Sequence, residues 1–236
     1  MRSGSSPLSC PSIYTQLMSS PNLQPEPSGK RNTKKRILIA ALRLFNDAGA
    51  VRTTTNQIAD EIDISPGNLH YHFHTKADLM SAILAAFEAD TKIVLLPPGD
   101  EPLSIDDLWL FLHMTLERLS VYRFLFRDFE TIITTYPELK SRLRRFVVSL
   151  TGNTALHLLN LEQNGVLATS PGDRLILGRS IVVQILFSGR FDALTGVMND
   201  EENSTIRAAQ SALHLLLPYL GDGDADHVRG MVEGYR

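Results

Sequence analysis

The spacing of apolar and polar positions predicts helices along most of this chain. Apolar residues recur every three or four positions from Ile37 to Phe45, which is typical of a helix with one buried face. The same spacing returns over residues 58–62, 79–94 and 108–116. No run of period-two alternation is long enough to require a sheet. The predicted fold class is therefore all-α, with about nine helices.

Residues that favour helix ends place the boundaries. Gly49 is expected to close the first long helix in the left-handed conformation, and Thr53 to cap the second helix. Ser65-Pro66 combines an N-cap with proline at the first helical position, and it opens a very short third helix. Later helices are predicted to start at Thr75, Ser104, Pro137, Ser170-Pro171 and Asn203.

Changes in composition divide the chain into five regions. Residues 1–29 hold five of the twelve prolines and eight serines, so this extension is expected to be disordered. Residues 30–94 form a small helical domain with a connecting helix, and residues 95–103 form a linker. Residues 104–220 form a larger helical domain. Residues 221–236 are polar and are expected to be a flexible tail.

Composition excludes several classes of protein. A single cysteine, Cys10, cannot form an intrachain disulfide or a thiolate metal cluster. No apolar run approaches the roughly 20 residues that span a bilayer, and the N-terminus lacks the apolar core of a signal peptide. We expect a soluble, cytoplasmic protein without a cofactor or a metal ion.

The net charge of −3 averages two unlike parts. Residues 30–92 carry nine cations and seven acids, a charge of +2, so the rest of the chain carries −5. Five of the cations lie within residues 30–36. A basic patch of this kind suits an anionic partner such as nucleic acid.

The segment 30–76 has the organisation of a helix-turn-helix. Two short helices are separated by the turn 62–65, with the basic stretch before them and a cluster of aromatic residues and histidines after them. Such a motif presents the N-terminal residues of its second helix to the major groove of DNA. Pro66, Gly67 and Asn68 are small or polar, and they allow the backbone to come close to the bases.

Two stretches within this segment, GAVRTTTNQIA (residues 49–59) and ISPGNLHYHFHTK (residues 64–76), resemble the DNA-binding domain of the tetracycline-repressor (TetR) family. The family pattern has a glycine, two threonines that open the second helix, and then isoleucine-alanine. A block of the form Ser-x-Gly-x-Leu-Tyr-x-His-Phe-x-x-Lys follows. This chain departs from the pattern at Ala50, Asn68 and His70, where the family has an aromatic residue, threonine and tyrosine.

The resemblance implies a role for each matched residue. Phosphates would be bound by Thr53, Thr54, Tyr71, His72 and Lys76. Base edges would be contacted by Thr55, Pro66, Gly67, Asn68 and His70. Lys34 and Lys35, with Lys30, Arg31 and Arg36, would reach neighbouring phosphates or a minor groove, and the alternative for these cations is a solvated helix start. Leu69, Phe73 and Ile58 are expected to be core residues, and Tyr71 and His72 can also pack through their rings.

The histidines His70, His72 and His74 raise the alternative of a metal site. On a helix only His70 and His74 share a face, and no cysteine lies nearby to complete a tetrahedral site. The sequence therefore disfavours metal binding.

The resemblance further implies that the larger domain dimerises and holds a small effector. Aromatic residues are concentrated between residues 109 and 129, with His113, Tyr122, Arg123 and Arg127 as polar groups among them. This combination suits a largely apolar ligand pocket, and the alternative is plain core. The candidate lining residues are Trp109, His113, Phe124, Phe129 and Phe146. The run Lys140, Arg142, Arg144 and Arg145 is interpreted as a solvated helix face or, alternatively, as an anchor for an anionic effector.

A homodimer is expected because one recognition helix covers too few base pairs for specific binding. The last two long helices would form an intermolecular four-helix bundle. The candidate interface residues are Ile181, Val182, Ile185, Ala209, Leu213 and Leu216.

The sequence as a whole favours a ligand-responsive transcriptional regulator, with repression as the expected mode. Its partners would be double-stranded operator DNA, a second copy of the chain and a small, largely apolar effector. The alternatives are a helical sensor or scaffold that does not bind DNA and a helical enzyme. No catalytic arrangement of serine, histidine and aspartate and no glycine-rich phosphate loop supports an enzyme.

Overall fold

The computed structural model describes residues 29–196 and 201–233, and this part of the chain is helical almost throughout. Its only β-pairing there is an isolated bridge between Leu167 and Leu220. The all-α prediction is confirmed. The α-helices in chain order are α1 (Gly29–Ala48), α2 (Thr55–Glu61), α3 (Pro66–His72), α4 (Lys76–Asp90), α5 (Ile105–Val121), α6 (Phe124–Arg127), α7 (Phe129–Thr135), α8 (Pro137–Gln163), α9 (Pro171–Thr195), α10 (Glu201–His214) and α11 (Asp222–Glu233), with 3-10 helices at Lys92–Leu95 and Leu217–Tyr219.

Side-chain caps fix most helix starts where the sequence predicts them. Ser65, Thr75, Ser104 and Ser170 each accept a hydrogen bond from a backbone N–H in the first turn of their helix. Gly49 closes α1 with a φ of 93°, which only glycine adopts without strain.

Two predicted helix starts are wrong. The N-cap of α2 is Thr54 rather than Thr53, because the Thr54 hydroxyl accepts from the backbone N–H of Gln57 and the Gln57 side chain closes a capping box. The helix α10 begins at Glu201, so Asn203 lies inside it.

Two further expectations concern the chain ends. Residues 222–233 form the helix α11, and Val228 on it is fully buried, so the prediction of a flexible tail is wrong for this stretch. The N-terminal extension is predicted to be disordered, and its residues 1–28 lie outside the described residues.

The N-terminal helices α1, α2 and α3 share a small core. Its members include Ile37, Phe45, Ile58, Leu69 and Phe73, all nearly inaccessible to solvent. Placing Ile58, Leu69 and Phe73 in the core is therefore confirmed. The body is built from α5 and α8–α10, and α8 and α9 approach closely where a Cβ on Gly178 would lie 3.6 Å from the Ala155 backbone.

The helix α4 is tied to the body at two points. Arg142 on α8 forms a paired contact with Glu88, with nitrogen–oxygen distances of 3.0 and 2.6 Å, and also donates to the Ser81 hydroxyl and carbonyl. The buried Tyr122 hydroxyl donates to Asp90. Arg142 is therefore not part of a solvated face, whereas Lys140, Arg144 and Arg145 are exposed.

The two domains also complete each other's helix ends. Arg127 donates to the backbone carbonyls of Phe45 and Asn46, the last turn of α1. In return, the Asn46 side chain donates to the carbonyl of Val121 at 2.9 Å and accepts from the N–H of Phe124 at 3.2 Å. The carbonyls and N–H groups at helix ends lack partners within their own helix. The contact between Asn46 and Arg127 therefore satisfies backbone groups on both sides, and we call it the junction.

Candidate nucleic-acid interface and neighbouring cavity

The turn between α2 and α3 is held by contacts from α1. Asp63 within it has a φ of 53°, a left-handed conformation that Asp tolerates better than most residues. The Arg36 guanidinium donates to the Ile62 carbonyl at 2.6 Å, and Arg43 pairs with Glu61 at 2.9 Å. Arg36 thus stabilises the turn, rather than standing free for a phosphate as the resemblance implied.

One face of α3 is anchored and the opposite face is open. Leu69 and Phe73 are buried, whereas Pro66, Gly67, Asn68 and His70 are exposed. This is the arrangement that a recognition helix needs, because the anchored side fixes the orientation of the open side.

The candidate base-reading residues come together at a shallow groove between α2 and α3. Thr55, Pro66, Gly67 and His70 line this groove, and Asn68 is exposed beside them. Val51, Asn56 and His74 also line it, and they were missing from the predicted set. Asn56 follows Thr55 directly at the N-terminus of α2, so its position in the sequence was a usable signal.

The candidate phosphate-binding residues fall into different environments. Thr54 is exposed, and the Tyr71 side chain is 64% exposed. His72 is half-buried, with its ring 5.3 Å from the Tyr71 ring. Thr53 is only 2% exposed, and its hydroxyl donates to the Gly49 carbonyl at 2.9 Å. The phosphate role implied for the Thr53 side chain therefore needs correction, because its hydroxyl is used inside the fold.

Two lysines of this region, Lys34 and Lys76, lie over aromatic rings. The Lys76 ammonium donates to the Val51 carbonyl at 3.2 Å and lies 5.9 Å from the centre of the Phe45 ring. Partial burial lowers the pKa of Lys76. The Lys34 ammonium lies 5.3 Å from the centre of the Phe73 ring, and Lys35 is half-buried. For Lys30 and Arg31 only the backbone is described.

The histidine cluster forms a ring contact. The rings of His70 and His74 meet edge to face at a centroid distance of 5.5 Å. Across the described residues, no group of three or more histidine, cysteine, aspartate or glutamate side chains is placed to hold a metal ion.

None of the five predicted effector-lining residues is among those that line the cavity described below. Phe124 and Phe146 are buried in core contacts, with the Phe124 ring 5.4 Å from the Phe45 ring. The Trp109 ring stacks on the His113 ring with a centroid distance of 6.0 Å, and the Phe129 ring meets the Phe187 ring edge to face. The aromatic cluster thus belongs mainly to the core.

A cavity of about 550 Å³ lies instead at the junction. It is bounded by the C-terminal end of α1, the C-terminal part of α5, α6, the second half of α9 and α10. Arg123 and Arg127 line it, and they belong to the polar groups that the sequence places among the aromatic residues.

The predicted interface residues also require correction. Their side chains on α9 and α10 are only 0 to 6% exposed, because they pack against the body of their own subunit; these are Ile181, Val182, Ile185, Ala209, Leu213 and Leu216. A surface that contacts a second chain must be accessible, so these six side chains cannot form it.

Several apolar side chains on α8 and α9 are exposed instead. Val148 is 61% exposed on α8, while Ile176 and Val183, seven residues apart on α9, are 67% and 50% exposed. Leu156 and Leu175 extend the same pair of helices with exposed apolar side chains. We call these five residues the α8–α9 face.

The fold and the groove define a class of protein: an all-α chain that joins a helix-turn-helix domain to a larger helical body. None of its described helices is both long and apolar enough to cross a bilayer.

Comparison with known families agrees with this class. The family model for bacterial regulatory proteins of the tetR family matches residues 37–83, and the TetR model for bacterial transcriptional repressors matches residues 86–228. The second match alone covers more than half of the chain. The chain therefore belongs to the TetR family, whose members are DNA-binding transcriptional regulators, typically repressors, and not enzymes.

Individual proteins similar to this chain share about a third or less of its residues over the matched regions. The chain is 27% identical over 132 residues to the negative transcriptional regulator IcaR of the biofilm operon in Staphylococcus aureus (strain Newman), a match that covers 56% of this chain and 64% of that protein. It is 35% identical over 80 residues to the transcriptional regulator AcrR of Shigella flexneri, covering 32% of this chain and 37% of that protein. A TetR-family regulator from Marinobacter aquaeolei VT8 has a similar crystal structure, with a TM-score of 0.78, 29% identity, and coverage of 86% of this chain and 98% of that chain.

Proposed function

We propose that this protein represses transcription by binding operator DNA as a homodimer, and that a small effector releases it. The observation that carries the proposal is the open face of α3, where Pro66, Gly67, Asn68 and His70 are exposed above an anchored core. Family membership supports the same role. The site of action would be the bacterial cytoplasm, where the operator lies.

Base reading is assigned to the residues around the groove. Asn68 and His70 are the exposed hydrogen-bonding side chains of α3 nearest its N-terminus, so they would determine sequence preference. The free backbone at Gly67 allows close approach, since nothing but the Ser65 hydroxyl lies within 4 Å of a Cβ placed there.

Phosphate contacts are assigned to the edges of this surface. Thr54 at the start of α2 and Tyr71 at the end of α3 are both exposed. Helix N-termini and hydroxyl groups are usual phosphate ligands, and they fix the register of the motif on the duplex. Lys34 and Lys76 would add salt-dependent attraction if they leave their present contacts over Phe73 and Phe45.

Binding to DNA is tested by fluorescence anisotropy with fragments from upstream of the protein's own coding region. We expect one fragment to bind with nanomolar affinity and with a marked salt dependence. His70→Ala and Asn68→Ala should change the preference among base substitutions in that fragment. The exposed His214 lies in the body, and His214→Ala serves as the matched control. Uniformly weak binding to every fragment would favour the alternative of a helical sensor without DNA binding.

Dimerisation is assigned to the α8–α9 face. Its apolar side chains lie on two packed helices, and two copies of such a face produce the four-helix bundle expected from the sequence, with different side chains at its centre. The exposed Gly152 on α8 leaves room for close approach, since nothing lies within 4 Å of a Cβ placed there.

Sedimentation tests this assignment. Ile176→Asp with Val183→Asp should give a folded monomer that binds operator poorly, because a charge would be buried at the interface. Leu110→Asp is the control, since Leu110 is 55% exposed on α5 and outside the face. A dimer that persists in the double variant rules out this face.

A further inference from the structure

The cavity at the junction has both apolar and charged lining residues, and the charged ones are Asp47, Arg123, Arg127 and Arg190. Leu116, Leu119, Phe126, Ile185 and Leu186 form its apolar walls. Arg123 and Arg127 both contact α1. A volume of about 550 Å³ lies within the range of sites for small organic ligands.

We propose that this cavity binds an amphipathic anion, with its apolar part between α5, α9 and α10 and its carboxylate, or an equivalent group, at Arg123 and Arg127. The inference rests on the proposed function, because it names the site and the chemical class of the effector. It differs from the sequence-based expectation in the residues involved, and it places the anchor for a negative charge at Arg123 and Arg127 instead of the basic run on α8.

Arg123 is the main anchor for the anion. It pairs with Asp47 on α1 at a nitrogen–oxygen distance of 3.5 Å, and both side chains are partly exposed. Such pairs contribute little to stability, so a bound carboxylate can take the place of Asp47. Arginine binds carboxylates through two parallel hydrogen bonds, which a hydroxyl group cannot match.

Arg127 would connect the bound anion to the DNA-binding domain. It contacts Asp128 at 3.0 Å and also donates to the carbonyls of Phe45 and Asn46 at the end of α1. A second negative charge beside Arg127 competes with those carbonyls for the same guanidinium.

The cavity wall itself crosses the two domains. Asn46 and Asp47 belong to α1 of the DNA-binding domain, whereas the remaining lining residues belong to the body. A ligand in this cavity therefore has a different affinity for each arrangement of the two domains, which is the condition for an allosteric effect. Replacement of Asp47 as the partner of Arg123 loosens the end of α1. We expect occupancy to weaken operator binding by about 5- to 150-fold.

Calorimetry with three probes of equal chain length tests the charge requirement. The probes are decanoate, decanol and decylammonium, with the two ions used below their micelle concentrations and decanol below its solubility limit. We expect decanoate to bind about tenfold more tightly than decanol, and decylammonium to bind least. Arg123→Gln should abolish the preference for decanoate while decanol binding stays the same. Arg229→Gln is the matched control, because Arg229 also pairs with an aspartate, Asp226, on α11, which lies outside the cavity lining.

Equal binding of the three probes, or no binding of any, would overturn the proposal. A preference for decanoate that survives in Arg123→Gln, or a loss of decanol binding in that variant, would also count against it.

A variant that fills the cavity tests its location. Gly189 lines the cavity on α9, with only the Ser204 hydroxyl within 4 Å of a Cβ placed there. Gly189→Leu should therefore remove binding of all three probes. Gly230→Leu, on α11 with open space around it, should bind them like the natural protein. Decanoate binding that is unchanged in Gly189→Leu places the site elsewhere and refutes the proposal.

Anisotropy on operator DNA separates this inference from the proposed function. With decanoate, the natural protein should lose operator affinity, and Arg123→Gln should respond much less. If the protein binds its operator but decanoate has no effect, the effector site is wrong and the regulator remains. If it binds no operator even without decanoate, the proposed function itself fails.

Discussion

Replacing Asn46 with alanine should loosen the contact between the DNA-binding domain and the body. Asn46 is 8% exposed, and its amide makes two hydrogen bonds to backbone groups of the other domain. It donates to the Val121 carbonyl at 2.9 Å and accepts from the Phe124 N–H at 3.2 Å. The methyl group of alanine can do neither, so both backbone groups lose their partner.

The magnitude follows from how deeply each group is buried. A buried polar group without a partner costs about 1–3 kcal/mol. The bond to Val121 is partly buried, so its loss should cost an amount near the lower end of this range. The bond to Phe124 is buried, so its loss should cost an amount near the middle. The free energy of unfolding should therefore fall by about 3 kcal/mol. For a chain of this length, that corresponds to a decrease in Tm of about 6–12 °C.

Urea denaturation followed by circular dichroism measures this loss, with Asn160→Ala as the control. Asn160 also makes two bonds to backbone groups, accepting from Leu103 and donating to Glu101, but water can reach these groups more easily. The control should lose about 1 kcal/mol. Equal losses for the two variants would show that Asn46 is not a buried tie between the domains, and the reasoning about the junction would be refuted.

Three other predictions concern different parts of the fold. Gly49→Ala should destabilise the protein more than Gly165→Ala in urea denaturation. Both glycines have positive φ, so either alanine would add about 1–2 kcal/mol of backbone strain. Only at Gly49 would the new Cβ also lie 3.1 Å from a carboxylate oxygen. Equal losses would contradict this. Burial lowers the pKa of His157 below its usual 6.5, so as the pH falls the unfolded chain takes up a proton before the folded protein does. The free energy of unfolding should therefore be highest above about pH 6.5 and decrease below it. The decrease should be less steep in His157→Leu. Parallel pH profiles for the two proteins would show that His157 does not contribute. Arg142→Gln should lower the free energy of unfolding by about 1–3 kcal/mol, because its paired contact with the partly buried Glu88 is lost; a loss below about 0.5 kcal/mol would assign the contact to an ordinary surface pair.

The helix-turn-helix was largely predictable from the sequence because its signals are local. Ser65 and Thr75 cap helices through bonds to residues three positions away, and Gly49 adopts its left-handed conformation next to the helix that it closes. Thr53 shows the limit of such reasoning. Thr53 and Thr54 are adjacent and have the same side chain, so the sequence does not distinguish which of them caps α2. The burial of the Thr53 hydroxyl depends on how α1 packs beside it.

The body was harder to predict because apolar spacing identifies a buried face but not its neighbour. Val182 and Leu213 have the periodicity of an interface, yet they pack within their own subunit. Aromatic enrichment near Trp109 likewise reports apolar density and not an empty volume. The cavity depends on how the ends of five helices meet, and Asn46 and Arg123 come together there from positions far apart in the sequence.

The reciprocal capping at the junction limits how this protein can be recombined with its relatives. A hybrid that fuses this DNA-binding domain to the body of a relative would leave the carbonyls at the end of α1 without Arg127. The reverse hybrid would leave the Val121 carbonyl and the Phe124 N–H of this body without Asn46. Swapping domains at the linker after α4 would therefore separate two halves of one hydrogen-bonding unit. An engineered sensor would have to transplant Asn46 together with residues 121–127 as a single cassette.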